Sequence, residues 1–326
     1  VRLAVTGATG FLGSNLCANA DAAGHEVSAA LGTDPTRGAK LATQGVPFVV
    51  ARLADVDAMA RAFRGADVVA HCAARSTAWG SRAAFEADNV AGTANVVEAC
   101  RRAGVPHLVH ISSASVYFEL ADREDVREDA PLPRPFNEYA RSKALSEAEA
   151  LQFEGNVAVL RPRGIFGPGD PTLVPRLVRA ARRGRLPLLR GGTARASLTH
   201  VDTVSSAILA AATAPAPLRA TYNVAHVEAA VVRDLVERVM TALGRPFTWR
   251  RIPMPVALAA ARASEIAAAA LGGREPAATP YALGLLAHTH TLDTQAIRKG
   301  LGWTSPLTLE EGLCETMAWL ESHRCP

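Results

Sequence analysis

Tyr139 and Lys143 are four residues apart in EYARSKALSEAEA (138–150), a stretch that reads as a helix, so both side chains stand on one face and can act on one ligand. A free phenol titrates near pH ~10, too high for ready proton exchange at neutral pH. A nearby ammonium favours the phenolate and lowers that value. Tyr139 can then give a proton to, or take one from, a carbonyl or alcohol oxygen. Ser113, where the apolar run His107–Ile111 passes into SSASVY (112–117), is placed to hydrogen-bond the same oxygen. Alone, a Tyr-x-x-x-Lys pair is equally an exposed helix pair; its meaning comes from what precedes it.

What precedes it is VRLAVTGATGFLG (1–13), an apolar run at Val1, Leu3 and Val5 followed by Gly7, Gly10 and Gly13, with a helical pattern from Phe11. Strand, tight turn and helix in that order suit a dinucleotide. Glycine lets the backbone approach a pyrophosphate and lets helix pack on strand, and the helix N-terminus offers free N–H groups. Strands are then expected at 26–31, 46–50, 67–71, 107–111 and 157–161, with helices at 55–63, 85–103 and 138–153 between them. That alternation predicts an α/β fold, a doubly wound parallel sheet with right-handed crossovers, whose ligands bind at the C-terminal strand ends. Residues 119–137 read as a polar, Pro-rich loop. Past RPRGIFGPGD (161–170) the pattern loosens, with helices near 173–183, 202–212, 231–243 and 309–322. This suggests a dinucleotide-binding domain over 1–165 and a smaller α/β substrate lobe over 166–326, the chain crossing back between them.

In such folds an acid at the end of the second strand holds the ribose 2′-hydroxyl, whereas an arginine accommodates a 2′-phosphate. Leu31 and Gly32 stand at that end, with Arg37 and Lys40 downstream, which favours NADP(H) over NAD(H); both cations are also ordinary surface residues.

The chain has 326 residues, 49% of them apolar and 20% charged, the balance of a soluble globular enzyme. Its net charge is +4, yet nine arginines and one acid, Asp170, lie between Arg161 and Arg195. The spacing of Arg176, Arg179 and Arg183 reads as a solvated helix face, with a groove for phosphates or acidic substrates as the alternative. Five cysteines without a C-x-x-C pair point to reduced thiols and a cytoplasmic setting, and the nine histidines form no metal-binding spacing. The chain opens on a core strand, so no signal peptide is expected. The alanine-rich run 256–271 carries Arg262 and Glu265 and is shorter than the roughly 20 apolar residues of a membrane span. It reads as a packed helix walling an apolar pocket. Nothing points to nucleic acid.

The segments TGATGFLG (6–13), NVAGT (89–93), SSASVY (112–117), YARSK (139–143) and LRPRGIFGPGD (160–170) resemble, in order along the whole chain, the extended short-chain dehydrogenase/reductase superfamily. CAARSTAWG (72–80), GDPTLVPRLVRAARRGRLPLL (169–189) and LDTQAIRKGLGW (292–303) are similar to its 3β-hydroxysteroid dehydrogenase-like branch, above all to bacterial 2-alkyl-3-oxoalkanoate reductases. The resemblance implies Ser113, Tyr139 and Lys143 as the catalytic set. It implies Gly7, Thr9, Gly10, Phe11, Leu12 and Gly13 around the pyrophosphate, Ala73 and Ala74 at the ribose, and Leu53 towards the adenine. Lys143 would also bind the nicotinamide ribose, and Pro162 and Ile165 would lie by the carboxamide. Asn89 would assist through its backbone or a water, or simply pack its helix.

Two departures stand out. Arg52 replaces the aspartate many relatives place on adenine, and Phe118 replaces a glycine after the Val-Tyr pair. Trp79, Phe118 and Phe136 are the aromatics expected near the substrate, each equally able to pack the core. The implied function is ketone and secondary-alcohol interconversion on a fairly apolar substrate by a homodimer pairing helices 85–103 and 138–153. The rival is a nucleotide-sugar 4-epimerase that retains NAD, with Arg195 on the substrate diphosphate; a non-catalytic NADP sensor is the third reading. A dehydratase is disfavoured because Ser113-Ala114 stands where that chemistry has a threonine and an acid.

Overall fold

The computed structural model describes residues 1–180, 184–271, 275–276 and 278–323. Seven parallel strands form the central sheet: β1 (Arg2–Thr6), β2 (Glu26–Gly32), β3 (Phe48–Val50), β4 (Val68–His71), β5 (His107–Ile111), β6 (Asn156–Pro162) and β7 (Arg219–Val224). Their spatial order is β7-β6-β5-β4-β1-β2-β3, which reverses beside β1 and opens a crevice at its C-terminal end. Leu3, Ala4 and Val5 are all fully buried because helices cover both faces of the sheet.

On one face lie α1 (Phe11–Ala22) and, from far along the chain, α8 (Val201–Ala212). On the other lie α3 (Val56–Phe63), α5 (Gly92–Ala103) and α6 (Glu138–Ala150). The turn after β2, unassigned from the sequence, is a helix, α2 (Pro35–Thr43), started by Pro35 and by the Asp34 carboxylate, which accepts the Thr36 and Arg37 N–H groups. The helix expected at 85–103 begins earlier, with α4 (Arg82–Phe85) capped by Ser81, and passes into α5 through a π-helical stretch, Glu86–Ala91. The strand expected at 46–50 is shorter, Phe48–Val50.

The two expected domains interlace. Arg123–Val126, inside the loop expected at 119–137, is a strand of a four-stranded sheet with Arg195–Ser197, Ala229–Val231 and His290–Leu292. In return, β7 completes the central sheet and α8 covers it. The smaller lobe also holds α7 (Leu173–Ala180), α9 (Val232–Ala242), α10 (Met254–Ala270), α11 (Pro280–Ala287), α12 (Gln295–Leu301) and α13 (Leu309–Ser322). Contrary to the expectation of a packed wall, α10 buries only Ala257 and Ala261 and leaves Val256 and Ile266 exposed. No helix among the described residues is long and apolar enough to cross a membrane. The arginine-rich run is not one solvated face, since Arg161 and Arg163 are buried; Arg183 lies outside the described residues.

Candidate active site

The glycine turn is built as the spacing requires. Gly7 has φ +70°, and a Cβ there would lie 2.7 Å from Ala73 backbone atoms; a Cβ on Gly13 would lie 2.2 Å from the Gly7 carbonyl oxygen. Gly10 begins α1 with no side chain capping it, so the first-turn N–H groups remain available to a phosphate. The turn opens on a cleft of about 520 Å³. Gly7, Thr9, Gly10, Phe11, Leu12, Gly13, Arg37, Leu53, Ala73, Ala74, Ser113, Tyr139, Lys143, Pro162 and Ile165 all line it. So do Thr33, Ser76 and Thr172, which the sequence did not single out. A glycine cradle, an uncapped helix start and a cleft of this size suit a dinucleotide.

Asn137 accepts the Ala140 N–H and starts α6, setting Tyr139 and Lys143 one turn apart. Ser113 follows β5 by two residues; its hydroxyl accepts the Ser115 N–H at 3.1 Å, and the residue lines the cleft with Tyr139. Burial pushes the Tyr139 phenol up to about 12, and the nearby Ser113 hydroxyl pulls it back in part. The expected depression of Tyr139 by Lys143 is absent. Lys143 is 2% exposed, and its Nζ donates to the Ile111 carbonyl at 2.6 Å. Burial lowers the Lys143 ammonium to about 8 despite the nearby Glu147 carboxylate. Two buried histidines beside it, His71 and His110, are held neutral, first by burial and then by the Lys143 charge.

Behind the cleft runs a buried network that sequence reasoning missed. Arg161 grips Glu147 with both arms, Nε to Oε1 at 2.8 Å and Nη2 to Oε2 at 2.6 Å. Ser112 donates to the same carboxylate, and Arg161 also donates to the Tyr117 hydroxyl. Tyr117 in turn donates to Asn223 Oδ1 of β7 at 3.1 Å. One signal was legible: Glu147 stands one turn beyond Lys143 on the same helical row. Asn89 has no spare amide group. Its Nδ2 donates to Ser142 Oγ at 2.8 Å and to the Arg75 carbonyl, and its Oδ1 accepts the Arg75 N–H at 2.7 Å, so it ties the loop after β4 to α6.

The expected substrate residues are placed less uniformly. Phe118 is 1% exposed, against Phe136 (4.8 Å between centroids), Tyr281 (4.6 Å) and His290 (5.0 Å). It is a core ring rather than a rim of the cleft, because the side chain turns into the space left by Gly284. Phe136 is partly buried on the edge of that ring cluster. Trp79 is partly buried on the loop before α4, and Arg195 is exposed on a strand of the small sheet; neither lines the cleft. Arg52 is exposed beside Leu53 and likewise does not line it.

Residues 3–225 match the NAD dependent epimerase/dehydratase family. A 2-alkyl-3-oxoalkanoate reductase of Stenotrophomonas maltophilia (strain K279a) is 33% identical over 96% of this chain and 97% of its own. The 3beta-hydroxysteroid-dehydrogenase/decarboxylase isoform 1 of Arabidopsis thaliana is 31% identical over 83% of this chain and 66% of its own. Among solved structures, MoeE5 in complex with UDP-glucose and NAD superposes with a TM-score of 0.76 at 26% identity, covering 99% of both chains. The glycine cradle, the Ser113–Tyr139–Lys143 constellation and these similarities agree: the chain belongs to the NAD dependent epimerase/dehydratase family, the extended short-chain dehydrogenases/reductases, in its 3β-hydroxysteroid dehydrogenase-like branch.

Proposed function

We propose that the protein interconverts a ketone and a secondary alcohol on a fairly apolar substrate, with Ser113, Tyr139 and Lys143 as its catalytic residues and NADP(H) as its preferred cofactor. The observation that carries this is that Ser113, Tyr139 and Lys143 together line the cleft that the glycine turn opens. A bound nicotinamide dinucleotide would supply or accept the hydride. In the reductive direction Tyr139, protonated across the neutral range, gives its proton to the ketone oxygen while Ser113 donates a hydrogen bond to that oxygen. Lys143 stands one turn away on α6 as the buried cation of the site. The relatives named as a 3-oxoalkanoate reductase and a hydroxysteroid dehydrogenase support this reaction class over epimerisation, although MoeE5 is a structure with UDP-glucose and NAD.

The preference for NADP(H) rests on the end of β2. Gly32 and Thr33 line the cleft there with Arg37, while Asp34 caps α2 and lies 3.6 Å from the Arg37 Nε. Arg37 Nη1 is held to the Thr9 carbonyl at 3.1 Å, which keeps its charge at the turn. Tighter binding of NADPH than NADH is expected by fluorescence titration, and the reverse order would refute it. A homodimer through α5 and α6, and a cytoplasmic setting, belong to the same reading. Leu145 and Leu151, exposed on and just beyond α6, suit such contact.

Tyr139→Phe is expected to cut turnover of a ketone panel with NADPH by about 100-fold or more while NADPH still binds. Near-normal turnover by that variant would end the assignment. Tightly retained NAD in the denatured protein, seen by mass spectrometry, would favour the epimerase instead.

A further inference from the structure

Helix α10 leaves one face uncovered among the described residues. Its 17 residues bury Ala257 and Ala261 in a cluster with Leu189 and with Leu283 and Ala287 of α11, and the opposite side is apolar from end to end. Val256, Ala259, Ala263, Ile266 and Ala270 are all exposed, Val256 by 59% and Ile266 by 71%, and Leu271 just past the helix by 84%. The intervals between those five run three, four, three, four. That is the seam by which one helix packs along another in a coiled coil. Arg262 and Ser264, the exposed polar residues of α10, stand about 100° to either side of Ala263 and so edge the stripe without interrupting it.

Side-chain chemistry decides between occupants. A helix that lies on a bilayer sets aromatic and leucine side chains on one face and charges on the other. Helix α10 has no aromatic residue, its stripe is mainly alanine, and its other face is taken by α11. Alanine gains little from lipid but lets the axis of a second helix come close. Charge then says which helix and which way round. Arg250 and Arg251, on the strand Thr248–Arg251 that leads into α10, are exposed and meet no carboxylate among the described residues. The last turn of α10 carries no basic residue to answer the negative end of the helix. An antiparallel copy brings the two arginines of each chain towards the bare last turn of the other. Both ends are matched at once, as a two-fold axis requires.

We propose that the exposed stripe of α10 docks against α10 of a second copy of this chain, antiparallel about a two-fold axis and separate from any contact through α5 and α6. One helix pair of this length falls short of the roughly 1,200 Å² of a stable interface, so a reversible step with a dissociation constant on the order of 10 μM is expected. Sedimentation velocity at rising protein concentration is expected to show that doubling of mass in the wild type. In the double variant Ala263→Glu with Ile266→Glu the step is expected to weaken by about 10-fold or more, because two charges enter the seam. Both positions are exposed, so an unchanged melting temperature is expected and keeps misfolding out of the comparison. Arg250→Glu with Arg251→Glu is expected to weaken the step several-fold and to remove most of its sensitivity to salt. A wild type without the step, a step that survives the seam variant, or one indifferent to the arginine variant overturns the proposal. Pelleting of the wild type with phosphatidylglycerol vesicles, lost in the seam variant, overturns it in favour of a lipid surface.

Discussion

Lys143, proposed above as a catalytic residue, is buried at a cost to stability. Its ammonium is buried beside two neutral histidines, satisfied by the Ile111 carbonyl, and titrates near 8 against an ordinary value of 10.5. Below pH 8 both folded and unfolded chains hold the proton and the burial penalty is felt in full. Between about 8 and 10.5 the unfolded chain keeps the proton that the folded chain has lost, so this group makes stability rise with pH. Urea denaturation of the wild type against Lys143→Met is therefore expected to shift in favour of the wild type by on the order of 3 kcal/mol between pH 7 and pH 10.5. A pH-independent difference would show that Lys143 is not depressed. Tyr139 and Lys143 were legible because a four-residue spacing survives folding as a shared helix face. The state of each was not, since burial and the Ile111 carbonyl come from other strands.

At the scale of elements, α6 carries Tyr139 and Lys143 and must be fixed relative to the ends of β5 and β6. Glu147 does this, accepting from Ser112 after β5 and from Arg161 on β6. Glu147→Gln leaves the Arg161 charge buried with half its support, and a loss of about 3–5 kcal/mol is expected, measured by urea denaturation. Replacing both residues by hydrophobic side chains is expected to recover much of that loss; equal instability of single and double variants would assign the effect to packing instead. The Asn89 amide, joining the loop after β4 to α6 across the π-helical turn, is a second fastening of the same kind. Neither was readable in advance, because hydrogen bonds between elements depend on which elements become neighbours. The elements themselves were more legible. The glycine turn, β5 and α13 lie where periodicity put them, while α2 was missed because its start is signalled by Asp34-Pro35 rather than by an apolar stripe.

For the whole molecule, the consequence of interlacing is mutual dependence of the lobes. The core on the α1 face combines Leu3, Val5 and Leu16 with Val204, Ile208, Tyr222 and Val224 from the second half of the chain. Asp202 at the start of α8 accepts from Asn15 at 2.6 Å and Asn19 at 3.0 Å on α1. Asn223 on β7 holds the Val126 and Asp293 carbonyls of the smaller lobe. A fragment of residues 1–165 is therefore expected not to fold alone, lacking β7 and the helix that covers β4 to β6. Dispersed amide resonances from that fragment would refute this and restore a divisible chain.

Local rules determined much of this protein from the sequence. Alternating strand and helix patterns, a glycine turn behind the first strand, and a tyrosine and lysine one helical turn apart are short-range features, and they survive any arrangement of the rest. The tertiary structure alone decided which charges are answered. Of two arginines separated by one proline, Arg161 meets Glu147 and Arg163 meets no acid among the described residues, and Phe118 goes into the core rather than to the cleft. The reason is physical: burial and partnership are properties of residues distant in the chain that packing brings together, and no spacing encodes them.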